Sequence, residues 1–126
     1  MEDFVSFEIA KKLKEKGFNW TCSHYYRTKS KDLFMIFPRE DWSNIEERIN
    51  APTISQVLKW LREEKMIYIE IFLYDRKYSY LIKSITQICE EDLFHKCLND
   101  DTADEEYATY EQAALAGIEY VLDNLI

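Results

Sequence analysis

The chain has 126 residues, a net charge of −8, 47% hydrophobic and 15% aromatic residues, and only two glycines and two prolines. That is enough apolar material for one packed core and too little Gly and Pro for a linker-rich or low-complexity chain. No apolar run approaches the ~20 residues a membrane-spanning helix needs, so no membrane partner is expected.

The three cysteines, an odd number, fit reduced thiols in the cytoplasm better than a disulfide framework. The acidic start Met1-Glu2-Asp3-Phe4 does not read as a signal peptide. Residues 1–40 carry 8 Lys and Arg against 6 Asp and Glu, whereas residues 41–126 carry 8 against 18. An acidic chain repels a phosphate backbone, which disfavours general nucleic-acid binding.

A first helix is expected from about Phe4 to Lys16, with Val5, Ile9 and Leu13 as its apolar stripe and Gly17 at the C-terminal cap. Residues 19–28 read as a strand that places Trp20, Cys22, His24 and Tyr26 on one side. After a turn at Lys29-Ser30-Lys31-Asp32, Leu33 to Phe37 reads as a second, more buried strand. Between Pro38 and Pro52, the spacing of Trp42, Ile45 and Ile49 predicts a short helix, with Ser43 and Glu46 as its capping box.

The second helix begins after Thr53, where Thr53 and Gln56 form a capping box, and its stripe is Ile54, Val57, Leu58 and Leu61, with Trp60 to one side. A hairpin follows: Ile67 to Tyr74 going out, a turn in Asp75-Arg76-Lys77, and Tyr78 to Ile85 returning. Residues 90–106 hold eight acidic side chains and one lysine, and read as a solvated connection. The last helix starts at Thr109, capped with Gln112, and buries Ala114, Gly117, Ile118, Val121, Leu122 and Leu125. A glycine inside a helix costs ~1 kcal/mol against alanine, so Gly117 implies close approach to a neighbouring element.

Residues 9–37 align without a gap on residues 57–85, an offset of 48, with identities at Lys11, Leu13, Glu15, Tyr26, Lys29 and Leu33. The expectation is therefore a single α+β domain over 1–126 in the order αββαββα. It has two similar αββ units (4–37 and 53–85), a closing helix (109–126), and a mostly antiparallel sheet of about four strands with helices mainly on one face.

Cys22 and His24, two apart on a strand, could converge on one zinc ion with His95 and Cys97. The spacing lacks the C-x2-C form, however, and buried cysteine is more often a small core residue. A cysteine nucleophile would need a base and an orienting partner that the sequence does not supply. No Gly-rich phosphate loop or nucleophile elbow is present, so no enzyme and no cofactor are expected.

Two surfaces stand out. Tyr68, Phe72, Tyr74, Tyr78 and Tyr80 are expected to line one sheet face opposite the helices, suited to a protein interface or a homodimer, and less so to stacked bases. Lys11, Lys12, Lys14 and Lys16 give the first helix a basic side, for which solvated charge is the ordinary explanation.

The run Val5-Ser6-Phe7-Glu8-Ile9-Ala10-Lys11-Lys12-Leu13-Lys14-Glu15-Lys16-Gly17-Phe18 is followed by Cys22, Tyr25-Tyr26, Ala51-Pro52-Thr53, Lys59-Trp60-Leu61-Arg62-Glu63 and Tyr110-Glu111-Gln112-Ala113. Together these segments resemble a group of small uncharacterised proteins common in bacterial mobile elements and prophages. The resemblance implies a gene context and no activity, carries over no functional residue, and breaks down in the acidic stretch 90–106. The expected function is that of a non-enzymatic accessory protein acting through protein–protein binding. A single-stranded nucleic-acid module and a zinc-binding protein are the alternatives.

Overall fold

A computed structural model describes residues 3–35, 48–85, 98 and 105–126. The fold is α+β, and the chain divides into two compact units, Met1–Thr53 and Ile54–Ile126. The expected four-stranded sheet is replaced, among the described residues, by a three-stranded sheet in the first unit and a two-stranded one in the second.

In the first unit, α1 (Phe7–Glu15) is capped by Ser6, whose Oγ accepts from the Ile9 amide at 3.3 Å. The helix ends in a Schellman motif. The Phe18 amide donates to the Leu13 carbonyl and the Gly17 amide to Lys14, with Gly17 at φ +91°, a left-handed value that glycine adopts without strain.

β1 (His24–Arg27) is the central strand, antiparallel to both β2 (Leu33–Met35) and β3 (Arg48–Ala51). His24 and Tyr26 share a face with Ile49 and Ala51. That face meets the N-terminal aromatics: His24 lies 4.3 Å from the Phe4 ring, Tyr26 meets Phe7 edge-on, and the Tyr26 hydroxyl donates to the Val5 carbonyl. Ile9, Ala10 and Leu13 of α1 are buried.

Four expectations for this unit change. The first helix begins at Phe7 and not at Phe4, because Phe4 and Val5 are extended: Phe4 bridges Thr53 and the Val5 amide donates to the Pro52 carbonyl, so Val5 is buried ahead of the helix. Trp20 and Cys22 precede the strand rather than lying in it, because pairing begins only at His24. Within the described part of the second strand, Leu33 is 38% and Met35 54% exposed, so these residues are not the more buried ones, and Ile36 and Phe37 lie outside the described residues. Among the described residues β2 has β1 as its single neighbour, and an apolar run at an edge has half the covering a central strand receives. Ile49 belongs to a strand, not a helix, and alternates with Ala51 as a buried pair. The rest of that predicted helix, with Trp42 and Ile45, lies outside the described residues.

The second unit opens with α2 (Ile54–Glu64), directly after the buried Thr53. Its buried stripe is Ile54, Val57, Trp60 and Leu61. Trp60 therefore sits in the core, where its indole is covered by the Lys65 ammonium at 5.4 Å, and Leu58 is only half-buried.

β4 (Ile67–Tyr74) and β5 (Lys77–Ser84) form a hairpin on a two-residue turn. Asp75 and Arg76 have φ of 49° and 65°, the left-handed pair of a type I′ turn, whose twist matches that of the strands. Along the outer edge of β5, Tyr78 and Tyr107 exchange backbone hydrogen bonds of 2.8 and 2.7 Å, the Ser79 hydroxyl donates to the Glu105 carbonyl, and the Leu98 amide donates to Ile82.

α3 (Tyr110–Asn124) is capped as expected: Thr109 Oγ1 accepts from the Gln112 amide, and the Gln112 side chain accepts from the Ala108 amide. It packs on β4, β5 and α2. A Cβ at Gly117 would stand 3.1 Å from Ile69 and 3.2 Å from the Tyr80 ring, so the mid-helix glycine is what lets helix and sheet approach.

The αββ order recurs in both units, but the ungapped offset holds only in the helices, where buried Ile9 and Leu13 correspond to buried Val57 and Leu61. In the hairpins it fails, because Tyr26 pairs with Leu33 whereas Tyr74 pairs with Lys77 and not with Leu81.

Two stability measurements follow from this packing. Gly117→Val adds branched volume where the contacts are already 3.1–3.2 Å, and is expected to cost ~1–3 kcal/mol in urea denaturation. Arg76→Gly removes a left-handed side-chain penalty in the turn, and is expected to gain about 0.5 kcal/mol in the same assay.

Candidate functional site

The pairing of the hairpin determines which of the expected aromatic residues can act together. Tyr74 stands opposite Lys77, so even-numbered residues of β4 share a face with odd-numbered residues of β5. Tyr68, Glu70, Phe72 and Tyr74 thus lie with Lys83, Leu81, Ser79 and Lys77 on one face. Ile67, Ile69, Ile71 and Leu73 lie with Ser84, Ile82, Tyr80 and Tyr78 on the other.

The predicted continuous aromatic face is therefore split. Tyr78 and Tyr80 belong to the core side, and Tyr80 is 2% exposed beneath Tyr107 and Tyr120. The physical reason is turn length: a three-residue turn over Asp75-Arg76-Lys77 would have put all five rings together, and the two-residue turn flips the return strand. On the outer face, Lys83 and Glu70 form a diagonal ion pair at 3.2 Å between the remaining rings.

At the tip of the hairpin Leu73 and Tyr74 are exposed on opposite faces, with Tyr110 on the Leu73 side, while Met66 and Tyr68 are exposed at the hairpin's other end. Leu73 is 61%, Tyr74 73% and Tyr110 43% exposed. Leu73 is the cross-strand partner of Tyr78, and the Tyr78 ring meets Tyr110 edge-on at 6.2 Å. The rim is polar, with Asp75, Arg76 and the Lys77–Glu106 ion pair at 3.4 Å. The tip is held by the type I′ turn and by the Tyr78–Tyr107 bridge, so its side chains are presented on rigid backbone. Tyr110 was missed in the sequence because it belongs to the first turn of α3, far along the chain from the hairpin.

The basic residues of α1 do not form one patch. Lys11 and Lys14, three apart, lie on one side of the buried stripe, and Lys12 and Lys16, four apart, on the other. Lys11 and Lys14 are exposed, and Lys12 and Lys16 are half-buried.

Of the four candidate zinc ligands, His95 and Cys97 lie outside the described residues. Cys22 is buried, donates its thiol proton to the Trp20 carbonyl at 3.4 Å, and has its pKa pushed up to about 11 by desolvation. His24 pairs through Nδ1 with the Ser23 hydroxyl at 2.8 Å. Among the described residues no group of three or more His, Cys, Asp or Glu side chains could hold a metal ion, and no helix is long and apolar enough to cross a membrane.

Tyr107 is the other strongly shifted group. Burial, followed by its 2.7 Å hydrogen bond to the Glu105 carboxylate, raises its pKa and keeps the phenol protonated.

Because thiolate is the reactive form, alkylation of Cys22 in the folded chain should be slow at neutral pH and rise roughly tenfold per pH unit toward 11. Peptide mapping by mass spectrometry after timed iodoacetamide exposure reads this, and urea-unfolded chain should react about 100-fold faster at neutral pH. No protein-family model, curated protein or solved structure matches the chain.

Proposed function

We propose that this chain is a non-enzymatic accessory protein, of mobile-element or prophage origin, that acts by binding another protein through the tip of its β4–β5 hairpin. The observation that carries the reading is the exposure of Leu73 and Tyr110 on one side of the polar-rimmed hairpin tip, with Tyr74 exposed on the other side of the same tip. Tyrosine offers large contact area with few rotatable bonds and is enriched at the energetic centres of protein interfaces. The origin rests on the resemblance of the segments from Val5 to Ala113 to proteins of mobile elements.

The nucleic-acid alternative draws less support, because base stacking needs rings on one open face and Tyr78 and Tyr80 point to the core side. Zinc binding also draws less, since a desolvated, protonated Cys22 is a poor ligand.

The test places a photocrosslinking residue at position 74 in the full chain, expressed in its native host. Alongside it, light scattering on the purified protein reads self-association. A discrete adduct that disappears in a Leu73→Ser, Tyr110→Ser background of unchanged circular dichroism supports the reading. No adduct together with a monomer at all concentrations overturns it, as does an adduct that the double substitution leaves intact.

A further inference from the structure

Five consecutive residues at the end of the β4–β5 hairpin, Leu73, Tyr74, Asp75, Arg76 and Lys77, are exposed. Successive side chains of a strand point to opposite faces, so Leu73 and Tyr74 cannot meet the same flat surface. Leu73 stands with Tyr78 on the side where Tyr110 lies, and Tyr74 stands with Lys77 on the other. The tip is thus a ribbon two strands wide with apolar surface on both faces. A flat partner would cover one face and leave the other in water. A cleft with two walls would cover both.

A second observation comes from the backbone of the turn. Asp75 (φ 49°) and Arg76 (φ 65°) both take the left-handed conformation. Asp75 is accounted for locally, because a short polar side chain tolerates that region and aspartate is common at this turn position. Arg76 is not. It occupies the second central position of the type I′ turn, where glycine is favoured because it has no Cβ to strain. The chain therefore keeps a long cationic side chain at the apex of the hairpin at a cost in stability, and strain retained in this way points to a use outside the fold. The neighbouring charge has its own explanation, since Lys77 pairs with Glu106 at 3.4 Å.

We propose that the hairpin tip is a wedge that enters an apolar-walled cleft on a partner protein, where the Arg76 guanidinium meets a carboxylate at the cleft floor. Leu73 and Tyr110 pack against one wall and Tyr74 against the other. The inference rests on the protein-binding reading above and adds to it the shape and charge of the partner. Arginine and tyrosine are enriched among the residues that dominate interface energetics, and a guanidinium fork matches a carboxylate at two points. A nucleic-acid backbone or an anionic membrane would also attract a guanidinium, but both repel a chain of net charge −8.

The experiment places a photocrosslinking residue at position 73 or, separately, at position 74 of the full chain in its native host, and maps the adducts by peptide mass spectrometry. The same protein is expected from both positions, joined at two different segments. Arg76→Gly is then added to each. It relaxes the turn and should raise the urea midpoint, yet cut the adduct yield about tenfold or more, so that the loss cannot come from unfolding. Arg76→Lys, which keeps the charge, should preserve more of the yield than Arg76→Gln. Adducts from one position only overturn the wedge and leave the protein-binding reading standing. Adducts that Arg76→Gly leaves undiminished, or equal yields from the Lys and Gln variants, overturn the role of the apex charge. An adduct to nucleic acid or lipid overturns the proposal in favour of a phosphate partner. No adduct from either position overturns the wedge, and with a monomeric chain it overturns the protein-binding reading as well.

Discussion

An antiparallel hairpin has one discrete choice at its end, the number of residues in the turn, and that choice fixes the facing of every side chain behind it. Here two residues, Asp75 and Arg76, make the turn in left-handed backbone without a glycine between them. The result puts Tyr78, Tyr80 and Ile82 beside Ile67, Ile69 and Ile71, so the β5 face that meets α3 carries aromatic rings as well as aliphatic carbon. Tyr80 then needs room, and Gly117 supplies it by removing the one side chain that would collide with the ring. The aromatic residues of β4 left outside are Tyr68 at one end of the outer face and Tyr74 at the tip.

The first unit is governed by its helix ends. Ser6 opens α1 and the Gly17 turn closes it, with Phe18 returned against the helix it has just left. That closure bounds the buried stripe and forms one side of a cleft lined by Ala10, Lys14, Phe18, Asn19, Arg48 and Asn50. β3 then brings arginine and asparagine to the same place, while its alternate residues Ile49 and Ala51 enter the core. A single four-residue strand thus serves packing with one face and polar chemistry with the other.

Much of this was legible in the sequence because helices announce themselves twice, by periodicity and by caps. Gly17, Thr109 and Gln112 lie where cap chemistry demands them, and most of the stripes of α1 and α3 follows from spacing, although the Ser6 cap was not read, Val5 precedes α1, and Leu125, at the C-cap of α3, is only half-buried. The meaning of Gly117 was also readable, since its propensity cost needs a packing reason. What failed was short or depended on parity. β3 has four residues, too few for alternation to stand out against a helical reading of Trp42, Ile45 and Ile49. The aromatic face was misjudged by one residue of turn length, and a one-residue error inverts a strand. The juxtaposition of Lys14, Asn19, Arg48 and Asn50 along one cleft of the first unit was invisible for another reason: they are ordinary surface types, and the packing of α1 on β3 brings them together. The departures in the hairpin trace to side chains whose neighbours lie across the sheet, not along the chain.

The bridge between β5 and residues 105–107 has a kinetic side. Ser79 and Glu105 are 26 positions apart, so joining them closes a loop whose entropic cost, growing with the logarithm of its length, is about 3 kcal/mol. The β4–β5 hairpin, with its neighbours adjacent in sequence, closes at far smaller cost and can form before that loop does. The part of the β5 edge that Tyr107 covers is therefore unpaired in any state where the hairpin has formed and residues 105–107 have not yet docked. During that interval the newly made strand presents unpaired amides and carbonyls, the usual template for mispairing with another chain. Docking of α3 with its preceding tripeptide does more than complete a core: it ends the period in which this edge is available to the wrong partner.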